Sequence, residues 1–304
     1  MKPNLTVNIG RLRLKNPVMV ASGAFGYAQE FKGLLDLKKL GAIVTKTVTL
    51  KPRKGNPSPR TCETPSGLLN SIGLENPGVE AFLKEKLPFL KKLAVPIIMS
   101  IASEARTEEF LILARRLDKI REVAALELNI SCPNMQGHKL ISQDPKATYD
   151  LVKAVRKTTG KTIITKLSPN VTDIAKIALA AEKAGSDALS LVNTLTGMSI
   201  DVKTKRPRIA TVTAGLSGPA IRPVAVRMVW EAYTKVKIPI IGMGGIMNAQ
   251  DALEFFIAGA TAVSLGTANF IEPRSSLQVI AGIKDYLAEH KIRDIGQLKG
   301  SLKR

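Results

Sequence analysis

Cysteine, histidine and aromatic side chains are scarce in this sequence, and each shortage excludes something. Two cysteines among 304 residues, Cys62 and Cys132, cannot build a disulfide-dense scaffold or a four-thiolate metal site, so a reducing interior is the simpler setting and no metal centre is expected. Aromatics at 4% leave few platforms on which nucleic-acid bases could stack. No window reaches the ~18 consecutive apolar residues of a membrane span, and the opening MKPNLTVNIGRLRLKNP lacks the apolar core of a signal peptide. The cytoplasm, with no membrane attachment, is the expected location. Acidic residues are outnumbered, 25 against 45 Lys plus Arg, and the formal charge of +20 favours anionic partners without choosing among phosphates, carboxylates, nucleic acid or an acidic protein surface.

What is present is a 45% apolar chain with a repeating order. After a short alternating segment, TVNIGRLRL, that reads as a hairpin bent at Gly10, β-branched apolar runs recur near 17–22, 42–48, 95–101, 124–130, 162–167, 187–193, 237–242 and 261–265. Between and after them lie stretches with helical spacing at 30–40, 79–93, 104–120, 145–158, 172–184, 219–235, 248–259 and 275–289, with Thr172 and Asn248 as candidate caps. Eight such units predict an α/β fold, a (β/α)₈ TIM barrel of the ~250-residue type with a small N-terminal hairpin and long active-site loops. A doubly wound open sheet competes, but ASGAFGYAQ, after the first strand, lacks the GxGxxG fingerprint. No linker divides residues 1–304, which read as one domain. The longest non-periodic segments, 51–78 and 194–217, follow strands and are expected to be loops over the catalytic rim.

A barrel interior wants bulky apolar residues, so polar groups at the strand ends need a reason. Ser22 and Gly23 follow the first strand, Lys46 and Thr47 the second, Ser100 the third, Asn129 and Cys132 the fourth, Lys166 the fifth, and Asn193 and Thr194 the sixth. Any one of these could be a satisfied rim residue; their convergence on one face points to a site. GMGGI (242–246) and GTANF (266–270) follow the seventh and eighth strands, where barrels cradle phosphate, and Thr267 adds a donor. This pattern suits a flavin mononucleotide and a sugar phosphate equally.

Cys132, in LNISCPNMQGH, lies just past a strand and suits either a structural thiol or a base whose thiolate Lys46 or Lys166 could favour. Cys62 reads as incidental, and His138 and His290 have no orienting acid that would make them bases. Lys46 and Lys166 at strand ends call for anionic partners. Asn70, Asn129 and Asn193 offer paired donors and acceptors to a planar ligand, although Asn70 also suits the turn at Gly73.

The runs ASGAFGYAQE (21–30), TKTVTLKPRKGNPSPR (45–60), NSIGLENPG (70–78), LNISCPNMQG (128–137), TKLSPNVTDI (165–174), NTLTGMSID (193–201) and AGLSGPAIRPVAVRMV (214–229), followed by IPIIGMGGI and GTANF, occur in this order. Together they resemble class 1 dihydroorotate dehydrogenase, in the form of the catalytic subunit of its NAD-linked, two-subunit type, over nearly the whole chain. The cysteine in SCPN sets it apart from the serine-based, membrane-associated class.

The resemblance implies flavin mononucleotide (FMN) in contact with Ser22, Lys46, Thr47, Ser100, Asn129, Lys166, Val192, Gly218, Gly244, Gly245, Gly266 and Thr267. It implies dihydroorotate held by Lys46, Asn70, Ser71, Ile72, Gly73, Leu74, Asn129, Asn193 and Thr194. Cys132 would take the C5 proton while hydride leaves C6 for the flavin, giving orotate in pyrimidine biosynthesis, with Lys166 favouring the anionic reduced ring. Ser100 departs from the asparagine that family members generally carry there, and its shorter side chain would reach flavin through water. FAD and [2Fe–2S] are expected only in a partner subunit, and the assembly as a homodimer of this chain joined to two electron-transfer subunits. Two other functions compete: an FMN-dependent tRNA dihydrouridine synthase, for which residues 275–304 leave no RNA-binding domain, and a non-enzymatic phosphate-binding barrel acting as a scaffold.

Overall fold

The structure is a computed structural model describing residues 3–103, 107–131 and 141–303. Eight short strands form its centre: β1 (Val18–Val20), β2 (Ala42–Val44), β3 (Ile97–Ile101), β4 (Val123–Asn129), β5 (Thr162–Lys166), β6 (Ala188–Leu191), β7 (Ile240–Met243) and β8 (Ala262–Leu265). All eight expected runs are strands. They pair in parallel in chain order, and β8 closes on β1 through Val263–Val18, Ser264–Met19 and Leu265–Val20. Such strands are buried on both faces, which is why the sequence shows continuous β-branched runs with no alternation. Every residue of β1, β2, β3 and β5 is buried.

Helices cover the outside. Pro145–Arg156 shows why they form: Thr148, Leu151, Val152 and Val155 make one buried stripe, Pro145 opens the first turn, and the Asp144 carboxylate accepts the N–H groups of Lys146 and Ala147. Asn248 caps Ala249–Ala258 as expected, accepting from the Asp251 N–H at 3.0 Å. Among the described helices, none is long and apolar enough to cross a membrane.

Three local expectations are corrected. The segment 30–40 is not an α-helix but two 3₁₀ turns, Gln29–Phe31 and Leu37–Lys39, with Gly26, Ala28 and Gly33 at positive φ breaking any continuous helix. Asp173, not Thr172, caps Ile174–Lys183, accepting from Lys176 N–H. The helix expected over 79–93 widens into a π turn at Phe82–Lys86 between Gly78–Ala81 and Leu87–Lys91. Pro88 has no N–H to give to the carbonyl four residues back, and the wider turn carries the chain past that missing bond.

The two long segments over the rim are more ordered than their non-periodic sequence suggests. Thr61–Thr64 and Gly67–Asn70 from the first, and Leu195–Met198 and Thr213–Ser217 from the second, make one four-stranded antiparallel sheet. The sheet has two unlike faces. Leu69, Ala214 and Leu216, with Cys62 and Ile209, form a small apolar cluster of their own, while Thr61, Leu68, Asn70 and Ser217 look into the barrel mouth. Cys62 therefore packs in this cluster, its thiol donating to the Glu63 carbonyl at 3.3 Å.

The N-terminal hairpin, Val7–Ile9 with Leu12–Leu14, closes the opposite end. Gly10 turns at φ +58 against the beginnings of β5 and β6, so tightly that a Cβ there would lie 2.8 Å from the Asp187 Cβ and 3.1 Å from the Thr162 methyl. Asp187 is itself braced, accepting from the Arg156 guanidinium and the Ile163 N–H at 2.8 Å each. Gly10→Ala combines a left-handed backbone with this contact and is expected to lower the unfolding free energy by about 1–2 kcal/mol. The check is a urea titration: a lower midpoint at unchanged slope is expected, and an unmoved midpoint would show that the hairpin is not seated on the barrel.

Candidate functional site

A cavity of about 350 Å³ opens where the carboxyl ends of the strands meet the rim sheet. It draws side chains from all sides because parallel closure sends the residue after each strand to the same end. Lys46, Thr47, Asn129 and Lys166 reach it from β2, β4 and β5, and Val192, Asn193 and Thr194 follow β6. Asn70, Ile72, Gly73 and Leu74 come down from the first rim segment. Gly218, Gly244, Gly245, Gly266 and Thr267 line the end beyond β7 and β8, and Ser22 enters from β1.

The amide-bearing side of the cavity is held by a small hydrogen-bond network. Asn129 Nδ2 donates to Thr47 Oγ1 at 3.0 Å, and Asn129 Oδ1 accepts from the Ser131 hydroxyl at 3.2 Å. Ser131 in turn accepts from Asn193 Nδ2, at 3.0 Å on its hydroxyl and 3.1 Å on its carbonyl. Asn193 Oδ1 takes the Thr194 N–H at 2.9 Å. One buried serine thus fixes the orientation of two asparagines, so donors and acceptors keep a set order before any ligand arrives. From above, Asn70 Nδ2 donates to the Gly215 carbonyl across the rim sheet at 3.3 Å.

Positive charge dominates the lining. Lys46 has no acidic partner among the described residues, whereas the lining carboxylate, Glu75, is paired with Arg60 at 2.6 Å. Lys166 is buried; its ammonium donates to Ser22 Oγ at 3.3 Å and lies 4.0 Å from Glu127. A negatively charged planar ligand matches these features.

At the other end the chain itself forms the wall. Gly244 and Gly245 take φ +124 and +76, and a Cβ on Gly245 would come within 2.7 Å of the Arg222 Cβ. These glycines let the loop after β7 lie flat against the helix Arg222–Tyr233. Asp251 secures the same loop from behind by pairing with Arg222 and accepting the Met247 N–H at 2.8 Å. Thr267 Oγ1 donates to Ser217 Oγ at 2.8 Å, tying the wall to the rim sheet.

Two expected contacts are not brought to the cavity. Ser100 is wholly buried behind Thr47, sharing a 2.9 Å hydrogen bond with its hydroxyl, and its side chain is too short to pass it. Ser71 is turned away, its hydroxyl accepting from Asn56 at 2.9 Å and Thr211 at 2.7 Å. Cys132, like His138, lies outside the described residues. His290 ends the helix Ser275–Glu289 on the outside of the barrel, exposed and stacked on Tyr286. Ser264, Ser217 and Glu127 were missed by sequence reasoning. Ser264 lines the cavity on β8, and its buried hydroxyl has no hydrogen-bond partner among the described residues. The available signal was a polar residue in the middle of an apolar run, VSL for Ser264 and LEL for Glu127.

Residues 4–287 match the family described as dihydroorotate dehydrogenase. Among curated proteins, the chain is 54% identical to the "Dihydroorotate dehydrogenase B (NAD(+)), catalytic subunit" of Geotalea daltonii over 303 residues, 99% of both chains. Proteins of the same name from Trichlorobacter lovleyi and Geobacter sulfurreducens are 55% and 53% identical, again over 99% of each chain. With the barrel, the rim cavity and its ordered asparagines in place, these full-length matches show that the chain belongs to the dihydroorotate dehydrogenase family.

Proposed function

We propose that this chain is the catalytic subunit of an NAD-linked dihydroorotate dehydrogenase of pyrimidine biosynthesis, acting in the cytoplasm with FMN bound in the rim cavity. The observation that carries this reading is the meeting, in one cavity, of an acid-free lysine, pre-oriented asparagines and a glycine-walled end. The glycine end fits the phosphate of FMN: a Cβ on Gly266 would meet only Ala21, at 3.9 Å, and one on Gly23 nothing within 4 Å, so their bareness leaves ligand space. The orphaned Ser264 hydroxyl adds a donor awaiting a partner.

Dihydroorotate is a ring of alternating N–H and C=O groups bearing a carboxylate. Lys46 supplies the charge for that carboxylate, and Asn70, Asn129 and Asn193 read the ring amides. Oxidation to orotate removes a proton from C5 and a hydride from C6. FMN, when bound, supplies the two-electron acceptor. Cys132 is the proposed base for the C5 proton, and Lys166 holds positive charge beneath the cavity where electron density arrives. A separate subunit carrying FAD and [2Fe–2S] would receive the electrons, in an assembly of two copies of this chain and two of the partner. The names of the relatives, with their "NAD(+)" and "catalytic subunit", support that division of labour.

The first test is an anaerobic visible spectrum of the purified chain, supplemented with FMN, before and after dihydroorotate. Bleaching with formation of one orotate per flavin is expected, whereas bound flavin that dihydroorotate leaves oxidised would overturn the substrate assignment. Cys132→Ala is expected to keep the flavin spectrum while flavin reduction slows by about 10²–10⁴-fold; a full-rate variant would remove Cys132 from the mechanism. Lys46→Met is expected to weaken orotate binding, followed by perturbation of the flavin spectrum, by about 1.5–3 kcal/mol, or roughly ten- to a hundredfold. Undiminished affinity would mean that the carboxylate sits elsewhere.

A further inference from the structure

Glu127 is a carboxylate in the middle of a barrel wall, 1% exposed, in a strand whose other residues are apolar apart from Asn129. One of its oxygens accepts from the Ser190 hydroxyl at 3.1 Å. The other has no hydrogen-bond partner among the described residues and lies 4.0 Å from the Lys166 ammonium. A charge this deep is tolerated only against an opposite one, and Lys166 is the cation that the structure sets there. Lys166 is not spent on the pair, because among the described residues its one hydrogen bond is to Ser22 and its side chain also lines the cavity. Lys166 thus lines the ligand space and lies near the carboxylate, which does not line it.

We infer that Glu127 is a positioning residue acting through Lys166: it offsets part of the ammonium charge and so limits how strongly the cavity favours a reduced, anionic flavin. The inference rests on the FMN reading given above. In a water-poor interior a full charge two side chains from the ligand is felt strongly, so removing the carboxylate shifts the flavin toward its reduced form. Glu127→Gln keeps the shape and the acceptor for Ser190 while deleting the charge.

The test uses FMN-loaded protein equilibrated anaerobically with a redox dye of known potential, with the ratio of reduced to oxidised flavin read from the spectrum. Glu127→Gln is expected to raise that ratio about tenfold at fixed dye potential, equivalent to ~30 mV for a two-electron couple. Glu127→Asp, which restores the charge, is expected to lie closer to the wild type than to Glu127→Gln. Ser190→Ala leaves both charges in place and frees the carboxylate to close on Lys166, so its ratio is expected to fall below the wild-type value. It keeps the test decisive if Glu127→Gln does not fold. A ratio within twofold of wild type in Glu127→Gln, or a fall, overturns the inference, as does an unmoved ratio in Ser190→Ala. Wild-type protein that binds no FMN would instead overturn the functional reading, which separates the two failures.

Discussion

Parallel closure is the constraint on which everything else in this molecule depends. Eight strands running the same way give the ring two unlike ends, and each strand must be followed by a crossing helix or turn before the next can pair. The residue leaving each strand therefore arrives at one rim whatever its distance in sequence. Lys46, Asn129, Lys166 and Asn193 meet for this reason and no other. The opposite end gathers the residues that enter the strands, and a two-stranded hairpin with a glycine at its tip packs there against Thr162 and Asp187.

Closure also explains how charge enters an apolar wall. A side chain in the middle of an interior strand is out of reach of bulk water, so where a polar group there is paired its partner lies inside the ring. Thr47 with Ser100, Ser190 with Glu127, and Glu127 with Lys166 are such internal pairings. In two of them the partner at the cavity, Thr47 or Lys166, is held by a residue that does not line it, Ser100 or Glu127. The polarity of the site is therefore built from below, by side chains no ligand touches, as much as from the rim.

The sequence made the barrel legible because fully buried strands write themselves as short apolar runs, many of them β-branched, and all eight were apolar. The cavity residues were legible to the extent that they sit at strand ends or in glycine turns. Three kinds of feature were not. The 3₁₀ turns at Gln29–Phe31 and Leu37–Lys39 share helical spacing with an α-helix over one turn, and only the backbone angles at Gly26, Ala28 and Gly33 separate them. The rim sheet depends on pairing such as Asn70 with Gly215, a separation that local patterning cannot register. Ser100 was placed at the site by its strand-end position and Ser71 by likeness to a family, yet each is held back by a neighbour's hydroxyl, which only packing reveals.

The rim sheet ties together two segments that the chain writes far apart, and strand pairing has a period of two. Leu68 and Asn70 face the cavity while Leu69 between them faces the small outer cluster. A single-residue insertion in either segment that slipped this ladder would exchange those faces, turning the asparagine outward and the leucine in. Length changes in the two segments are then not independent events in the history of such a chain: one is tolerated only when the other compensates, or when a bulge absorbs the extra residue. The two rim segments behave as one inherited unit, although they are separated in the sequence by four of the barrel's strands.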